Sequence, residues 1–552
     1  MRQGVAARTS TRPARSTASP FVIVGAGAAG LQLAYFLQRS GHPYVVLESE
    51  DEVGSFWRLY PRSRQLISFN RLHSIYEDPE LELRWDWNSL LTAGYEMLFR
   101  DYSRRLYPRA EEMERYLRDF ASRYQLNVRF HAKVARISRE ADLSFRLELE
   151  DGSAYRCPIL VMATGLSTPN IPPIPGIEHV QGYETVPMDP AGFEGQRVLI
   201  IGKGNSAFEV ADAILDTAAI VHLASPRPIR FAWNTRHPGD LRAHSTRILD
   251  TYQLKLLNGL LDAHVIKIVP ENGKFLVSVA YVHADGEQET FCYDRVVRCT
   301  GFRYDDSPFD ADIRPLDSTG RLPAMTSSWE STSVPNLFFA GTLMQAQDFR
   351  RASSAFIDGF RYNVRTLHAM LVARASGQPL AAAPISAEAD ALTEAVLARV
   401  SRSSGLWAQF GFLCDVLVVD NDGIAWHYQE LPRDYVHDSA LGGNEHYYTI
   451  TLEWGSWSGD VFAIERHPAH EQAHTNVFLH PIVRRFRYGE LIAVHHILED
   501  LLGMYRGGGE SGFVRNRSLR DMNRYHREEH AEPLRAFFAS QLAHVALPAQ
   551  RR

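Results

Sequence analysis

Cysteine is scarce in this chain of 552 residues: there are four, Cys157, Cys292, Cys299 and Cys414, and no two of them form a Cys-x-x-Cys pair. So small a number excludes a disulfide framework, and the spacing excludes a cysteine-ligated metal cluster. A reducing compartment fits, and a cytoplasmic location is expected. Long apolar runs are missing too. None approaches the roughly 20 residues needed to cross a bilayer, and the N-terminus lacks the apolar stretch of a secretory signal. No membrane association is therefore expected. The net charge of -6 gives no electrostatic reason to expect nucleic acid. The first twenty residues carry no acid, with Arg2, Arg8, Arg12 and Arg15 set among Ser and Thr. Lacking an amphipathic pattern, residues 1–19 read as a disordered extension in preference to an organelle-targeting segment. The remaining composition, 45% hydrophobic and 22% charged, is that of a globular protein, and the length calls for two to four domains.

Two glycine-rich turns stand out. Gly25-Ala26-Gly27-Ala28-Ala29-Gly30 follows the apolar run 21–24, and Gly202-Lys203-Gly204-Asn205-Ser206-Ala207 follows 198–201. Each opens an amphipathic stretch, 31–37 and 208–215. The first glycine permits the tight strand-to-helix turn, the second lets a pyrophosphate approach the backbone, and the third position brings helix and strand together. The phosphate then rests on a helix N-terminus. Two dinucleotides are expected. The strand 44–47 ends at Glu48, whose carboxylate suits the ribose hydroxyls of FAD. The matching strand 220–223 runs instead into Ser225, Pro226, Arg227, Pro228, Ile229 and Arg230. With no acid there, Arg227 or Arg230 favours the 2′-phosphate of NADPH over NADH, the alternative being a solvated basic loop.

Strand-turn-helix patterning runs from residue 20 to about 165, where 159–162 meets Ala163-Thr164-Gly165. A stiff connector with Pro169, Pro172, Pro173 and Pro175 follows. The second nucleotide unit closes on Val296-Val297-Arg298-Cys299-Thr300-Gly301 and reads as inserted into the first. After the return, 336–341 is a buried strand ending at Gly341, and 353–372 is a helix whose N-terminus points at a flavin ring. From about 386 the chain turns aromatic and His-rich, with Trp426, Tyr428, Tyr447, Tyr448, Trp454 and Trp457. The fold expected is α/β: two Rossmann-like dinucleotide-binding domains, an FAD domain (20–185 and 301–385) with an inserted NADPH domain (186–300). A separate C-terminal α+β domain (386–552) completes the chain.

With Gly25 to Gly30, Glu48, Gly54-Ser55-Phe56-Trp57-Arg58, Ala163-Thr164-Gly165, Gly202 to Ser206 and Thr300-Gly301-Phe302 in hand, the chain resembles the flavin-containing monooxygenases over residues 20 to 370. Within that superfamily it most resembles the FAD-dependent oxidoreductase domain-containing proteins. Asp86-Trp87-Asn88-Ser89-Leu90-Leu91, Asp250-Thr251-Tyr252-Gln253-Leu254-Lys255, Gly359-Phe360-Arg361-Tyr362 and Asn476-Val477-Phe478-Leu479-His480-Pro481 carry the closer likeness. One departure is Gly182-Tyr183-Glu184-Thr185-Val186, where the monooxygenase linker signature ends in histidine. The resemblance implies cofactor contacts at Trp57, Arg58, Thr164, Gly165, Gly204, Asn205 and Ser206. It also implies that NADPH reduces FAD, that molecular oxygen adds at the C4a carbon, and that a nucleophilic substrate atom takes the distal oxygen. Family motifs place an active-site asparagine after a short strand, and Leu66-Ile67-Ser68-Phe69-Asn70 matches. Asn70 is the expected catalytic residue, its amide donating to the oxygen adduct; the plainer reading is a loop-capping Asn.

Arg71 and His73, with Gln345, Arg350 and Arg351 after the Gly341 strand, are candidate substrate ligands, the guanidinium groups for a carboxylate. Asp348 lies in the same loop or only caps its turn. No metal is expected: His467, His470 and His474 have helical spacing, but Pro468 interrupts them and no cysteine or acid with ligand spacing joins them. The leading function is an NADPH-consuming monooxygenase acting on a small molecule, at the nitrogen of an amine or amino acid. The alternatives are a flavin reductase serving an external thiol, quinone or protein acceptor, and a flavin-bearing binding scaffold. A homodimer is left open.

Overall fold

The computed structural model describes residues 16–253, 257–456, 459–460, 470–500, 502–506 and 527–544. Strand β1 (Phe21–Val24) is buried along its whole length, as a parallel strand covered on both faces must be. It runs into Gly25, whose φ of +103° and 2.7 Å clearance from the Ala163 carbonyl at the Cβ position leave no room for a side chain. Helix α1 (Ala28–Arg39) follows, and β2 (Tyr44–Leu47) pairs parallel with β1. On the other side of β1 lies β3 (Ile159–Met162), also parallel. A four-stranded sheet of Ser16–Ala18, Ala154–Cys157, Phe145–Leu149 and Val134–Arg139 completes this part of the domain. The extension expected over 1–19 therefore ends sooner, because Ser16–Ala18 add to the free edge of Ala154–Cys157; residues 1–15 lie outside the described residues.

The chain leaves and re-enters this domain through a short antiparallel pair, Thr168–Pro169 with Phe302–Arg303. Between them β4 (Arg197–Ile201), β5 (Ile220–Ser225), β6 (Gly259–Glu271), Lys274–Tyr281, Gln288–Tyr293, β7 (Arg295–Arg298) and the short Gln181–Gly182 build a second sheet of seven strands, with helix α2 (Asn205–Ile214) following β4. Its outer parallel strand is Gln181–Gly182, paired with β7, so this unit begins a few residues before the expected position 186. On re-entry β8 (Leu337–Phe339) pairs parallel with β3, and the 20-residue helix α3 (Ile357–Ser376) packs on α1. At the close of β8, Gly341 (φ +74°) sits where a Cβ would come within 2.6 Å of the Ala29 Cβ.

The C-terminal part is an antiparallel sheet of six strands: Ala383–Ser386, β9 (Leu413–Val419), β10 (Ile424–Pro432), β11 (Tyr447–Glu453), β12 (His480–Arg487) and β13 (Glu490–His496). Helices α4 (Ala389–Arg402) and α5 (Arg527–Leu542) pack together against it around Leu392, Val396, Leu534 and Phe538. Trp457 and His467 lie outside the described residues.

This sheet is bolted to the flavin domain. Arg399 of α4 donates to Asp415 of β9 at 2.6 Å and to Glu430 of β10 at 3.1 Å. Glu430 pairs in turn with Arg365 of α3, and its carbonyl accepts from Thr366 at 2.8 Å. Arg402 reaches Asp78 at 2.6 Å, and the Ser404 N–H reaches Glu80 at 2.8 Å. Buried Gln409 holds the Ser353 N–H (3.0 Å), the Ser354 hydroxyl (2.9 Å) and Asn363 (2.9 Å), and so braces the entry to α3. The unit expected over 386–552 has its own sheet and core and shares a buried polar interface with the flavin domain.

Candidate functional site

The first glycine turn is braced by Glu48, which is 4% exposed at the end of β2. The Ala26 N–H donates to its Oε2 at 2.7 Å, and the Glu50 N–H (3.1 Å) and Ser55 hydroxyl (3.3 Å) donate to Oε1. A Cβ on Gly30 would lie 2.0 Å from the Gly25 carbonyl, while one on Gly27 or Gly165 would meet no heavy atom within 4 Å. Gly25 and Gly30 thus make the turn, and Gly27 and Gly165 border open space. Two sealed polar atoms beside it make no hydrogen bond within the protein, the Thr164 hydroxyl and Arg58 Nη2, the latter lying 3.6 Å from Glu50. Arg58 otherwise pairs with Asp51 at 2.6 Å, and Trp57 beside it is half-buried. Open backbone at a helix N-terminus, an acid on the next strand and donors that make no hydrogen bond are what FAD requires.

The second turn repeats the geometry. Gly202 (φ +131°) faces the Cys299 carbonyl at 2.4 Å from the Cβ position, and Gly204 borders open space. The Asn205 side chain is spent elsewhere than expected: it donates to the carbonyls of Gly239 (3.0 Å) and Asp240 (3.1 Å) and accepts from the Arg242 N–H (3.1 Å). It pins the loop 237–242 across the turn, so any share it has in holding phosphate falls to its main-chain N–H. Ser206 borders a small open pocket with Tyr183, Arg298 and Phe302. Lys203 is buried against Asp262. Arg227 and Arg230 are exposed beyond β5; Arg230 lies 3.7 Å from Asp240, and no acid pairs with Arg227 among the described residues. These features fit a nicotinamide dinucleotide.

Asn70 is 5% exposed, and its amide donates to the Ser103 carbonyl at 2.7 Å while its N–H donates to Leu106 at 2.8 Å. Residues 66–70 form no strand, because Gln65 makes only an isolated bridge to Arg109 and the segment is held by such single bonds. The exposed Arg71 guanidinium lies over Trp85 at 5.2 Å and borders a small open pocket with Glu82, Asp86 and Arg100; His73 is exposed and does not line it. Gln345 donates to Thr342 at 2.8 Å, Arg350 lies 3.7 Å from Asp240, and Arg351 donates to Gln347 at 2.7 Å. The structure gives no contact between the Arg71 group and the Gln345 to Arg351 group.

Two carboxyl groups near the start of α3 are perturbed. Burial pushes Asp348 up to about 6 despite the Ser354 N–H at 3.2 Å, and pushes Asp358 up to about 7 against the nearby Arg361. Oδ1 of each is sealed without a partner. Asp358 was not legible as a site residue, since an acid in the first turn of a helix is commonplace. All four cysteines are free, and burial raises the thiols of Cys157, Cys299 and Cys414. Among the described residues no group of three or more His, Cys, Asp or Glu could hold a metal ion, and no helix is long and apolar enough to cross a membrane.

The model of the pyridine nucleotide-disulphide oxidoreductase family matches residues 22–341. FAD-dependent oxidoreductase domain-containing protein 2 of Mus musculus is 36% identical over 539 residues, covering 87% of this chain and 80% of the relative. Flavin-containing monooxygenase FMO GS-OX2 of Arabidopsis thaliana is 32% identical over 308 residues, 51% of this chain and 60% of that one. A solved flavin-containing monooxygenase from Stenotrophomonas maltophilia, at 23% identity and a TM-score of 0.50, covers 65% of this chain and 100% of its own, and shares the fold. The chain belongs to the pyridine nucleotide-disulphide oxidoreductase family as a flavin-containing-monooxygenase-like flavoprotein of the FAD-dependent oxidoreductase domain-containing kind, built for FAD and a nicotinamide nucleotide.

Proposed function

We propose that the protein is an NADPH-dependent monooxygenase that oxygenates a nucleophilic heteroatom, the nitrogen of an amine or amino acid. The observation that carries this reading is the pair of nucleotide turns combined with the state of the thiols. Gly27 and Gly204 leave both turns open for a pyrophosphate, yet every cysteine is free and three of the four are buried with raised thiols. A dithiol relay needs a low, accessible thiol beside a second one, so electrons arriving from the nicotinamide have no cysteine pair to enter. FAD, when bound, supplies the two-electron transfer from nicotinamide to oxygen.

The residues of the chain bind, orient and exclude water. Glu48 and the first turn of α1 hold the adenosine end of FAD. Arg227, unpaired at the end of β5, receives the 2′-phosphate of NADPH, with Arg230 behind it. The aromatic side chains Phe69, Trp87 and Tyr107 pack together, Tyr107 stacking on His244 of the nucleotide domain, and in this reading their apolar faces keep water from the reacting atoms. Asn70 holds the segment that carries Phe69 through the Ser103 carbonyl. Its role in this reading is positional. The free thiols accord with a reducing compartment such as the cytoplasm.

The test is NADPH oxidation by the flavin-loaded protein under ¹⁸O₂ with a panel of amines, amino acids and thioethers. One labelled oxygen atom in the product per NADPH is the expected result. Rapid reoxidation of the reduced protein by disulfides or quinones, with no oxygen incorporated, would overturn the proposal in favour of a reductase.

A further inference from the structure

Five cationic side chains are buried among the described residues: Lys203, Arg242, Arg298, Arg361 and Arg485. Four of them are answered by protein groups. Lys203 pairs with Asp262, and Arg298 donates to Glu184 at 2.5 Å. Arg361 donates to the carbonyls of Ser89 (2.8 Å) and Leu83 (2.8 Å), and Arg485 donates to Gln541 at 2.9 Å. Arg242, 9% exposed, is different. Its guanidinium lies over the rings of Phe69 at 4.5 Å and Trp87 at 5.2 Å, and no described residue offers its side chain an acceptor. None of its nitrogens is among the sealed atoms that lack a partner, so the N–H edge keeps some access to solvent.

That placement is built. The Arg242 N–H is held by Asn205 of the second nucleotide turn, which fixes where the side chain starts. Phe69 meets Trp87 edge-on at 5.5 Å and Tyr107 at 5.5 Å, and His244 from the nucleotide-domain side stacks on Tyr107 at 4.8 Å. A guanidinium stacked on a ring keeps its coplanar N–H groups free, and that fork matches a carboxylate. Asp358, in the first turn of α3, supplies a second unanswered group: its Oδ1 is sealed without a partner, and Arg242 acts on it electrostatically. Desolvation disfavours the Arg242 cation where it stands, which an arriving anion would relieve.

We propose that the surroundings of Arg242 form the substrate subsite and that Arg242 receives the carboxylate of a free amino acid, whose amino group turns to Asp358 and whose aliphatic part lies along the cluster of Phe69, Trp87 and Tyr107. The inference rests on the oxygenase reading above and names its substrate class. The exposed Arg71, Arg350 and Arg351 guanidinium groups are engaged elsewhere, with Trp85, Asp240 and the Gln347 carbonyl, and take no part in it.

Calorimetric titration of the flavin-loaded, NADP⁺-bound protein tests it without turnover. The probes are free amino acids, each matched with the amine left when its carboxylate is removed. In the unmodified protein at least one amino acid should bind about 100-fold tighter than its amine, as a desolvated guanidinium–carboxylate pair implies. In Arg242→Gln that preference should fall below about 3-fold with NADP⁺ affinity kept, and Arg242→Lys, which keeps the charge but loses the fork, should fall between. Equal binding of acid and amine by the unmodified protein, or an undiminished preference in Arg242→Gln, overturns the proposal; so does a loss of NADP⁺ binding together with all ligands, which would make Arg242 a fastener between domains. If Arg242→Gln does not fold, Arg242→Lys decides, an unchanged preference being fatal. A carboxylate preference without oxygen incorporation would sink the oxygenase reading alone, and oxygen incorporation without the preference would sink this subsite alone.

Discussion

Replacing Asp415 by Asn should weaken the C-terminal sheet next to Glu430, the residue through which it meets helix α3 of the flavin domain. Asp415 is 1% exposed and its oxygens accept four bonds: Arg399 Nε (2.6 Å), Arg399 Nη2 (3.3 Å), His427 Nε2 (2.8 Å) and the Glu430 N–H (3.0 Å). Asn keeps the shape, removes the charge and turns one acceptor into a donor aimed at donors. Breaking a buried ion pair from one side costs roughly 3–5 kcal/mol. Arg399 retains Glu430 at 3.1 Å, so the lower end applies, about 3 kcal/mol. For a unit of this size that is a fall in Tm of roughly 6–12 °C. Differential scanning calorimetry, followed in parallel by flavin fluorescence, reads the C-terminal transition separately from flavin release. The pH dependence has a definite sign. Burial by itself would raise the Asp415 carboxyl, but Arg399 and His427 outweigh it and hold the group far below the usual carboxylate range. A depressed carboxyl gives stability that is present above its unfolded value and lost as pH falls, so the gap between the variant and the parent should persist from pH 5 to 8 and shrink below about pH 4. A Tm shift under about 2 °C, or a gap that widens in acid, would refute the view that this ion cluster holds the C-terminal sheet and α4 together.

Further outcomes follow from other parts of the site. Gly27→Ala places a methyl where no protein atom lies within 4 Å, so the chain should fold normally yet lose flavin, read as at least a 10-fold drop in 450 nm absorbance per protein with an unchanged circular dichroism spectrum. Gly30→Ala, 2.0 Å from the Gly25 carbonyl, should fail to give folded protein, measured as yield of soluble monodisperse material. Arg227→Gln should lower kcat/KM for NADPH by about 10-fold, near 1.4 kcal/mol, and leave NADH almost unchanged in steady-state assays. Asp358 is raised to about 7 by burial, so its protonated form stabilises the fold at low pH and that contribution is lost as pH rises through 7. Asp358→Asn should accordingly flatten the decline of Tm between about pH 4 and 7, measured by thermal melts in constant ionic strength.

The two nucleotide turns were legible because every requirement is local. A buried apolar strand, three glycine positions and the next strand lie within a few dozen residues, and the structure realises both, with Gly25 and Gly202 at positive φ. The extension over 1–19 was misjudged at its end because Ser16–Ala18 have no strand signal of their own; the open edge of Ala154–Cys157 recruits them. Asn70 was found by motif, but its amide bond to Ser103 could not be, since a loop partner 33 residues away leaves no periodic trace. Asn205 shows the same limit: its place in the turn was evident, while its grip on residues 237–242 was not.

By itself, the amino-acid sequence determined the α/β class, the insertion of one nucleotide unit into another and the lack of a cysteine pair, because glycine conformation, strand hydrophobicity and residue spacing act over short separations. Only the tertiary structure decided that Arg361 is buried against Asp86, 275 residues earlier, that Glu430 ties the last sheet to α3, and that Arg242 alone among the buried cations is left to ring faces. The reason is electrostatic: whether a charge is answered depends on which acceptors the folded chain brings within about 3–4 Å in a low-dielectric interior, and composition carries no record of that meeting.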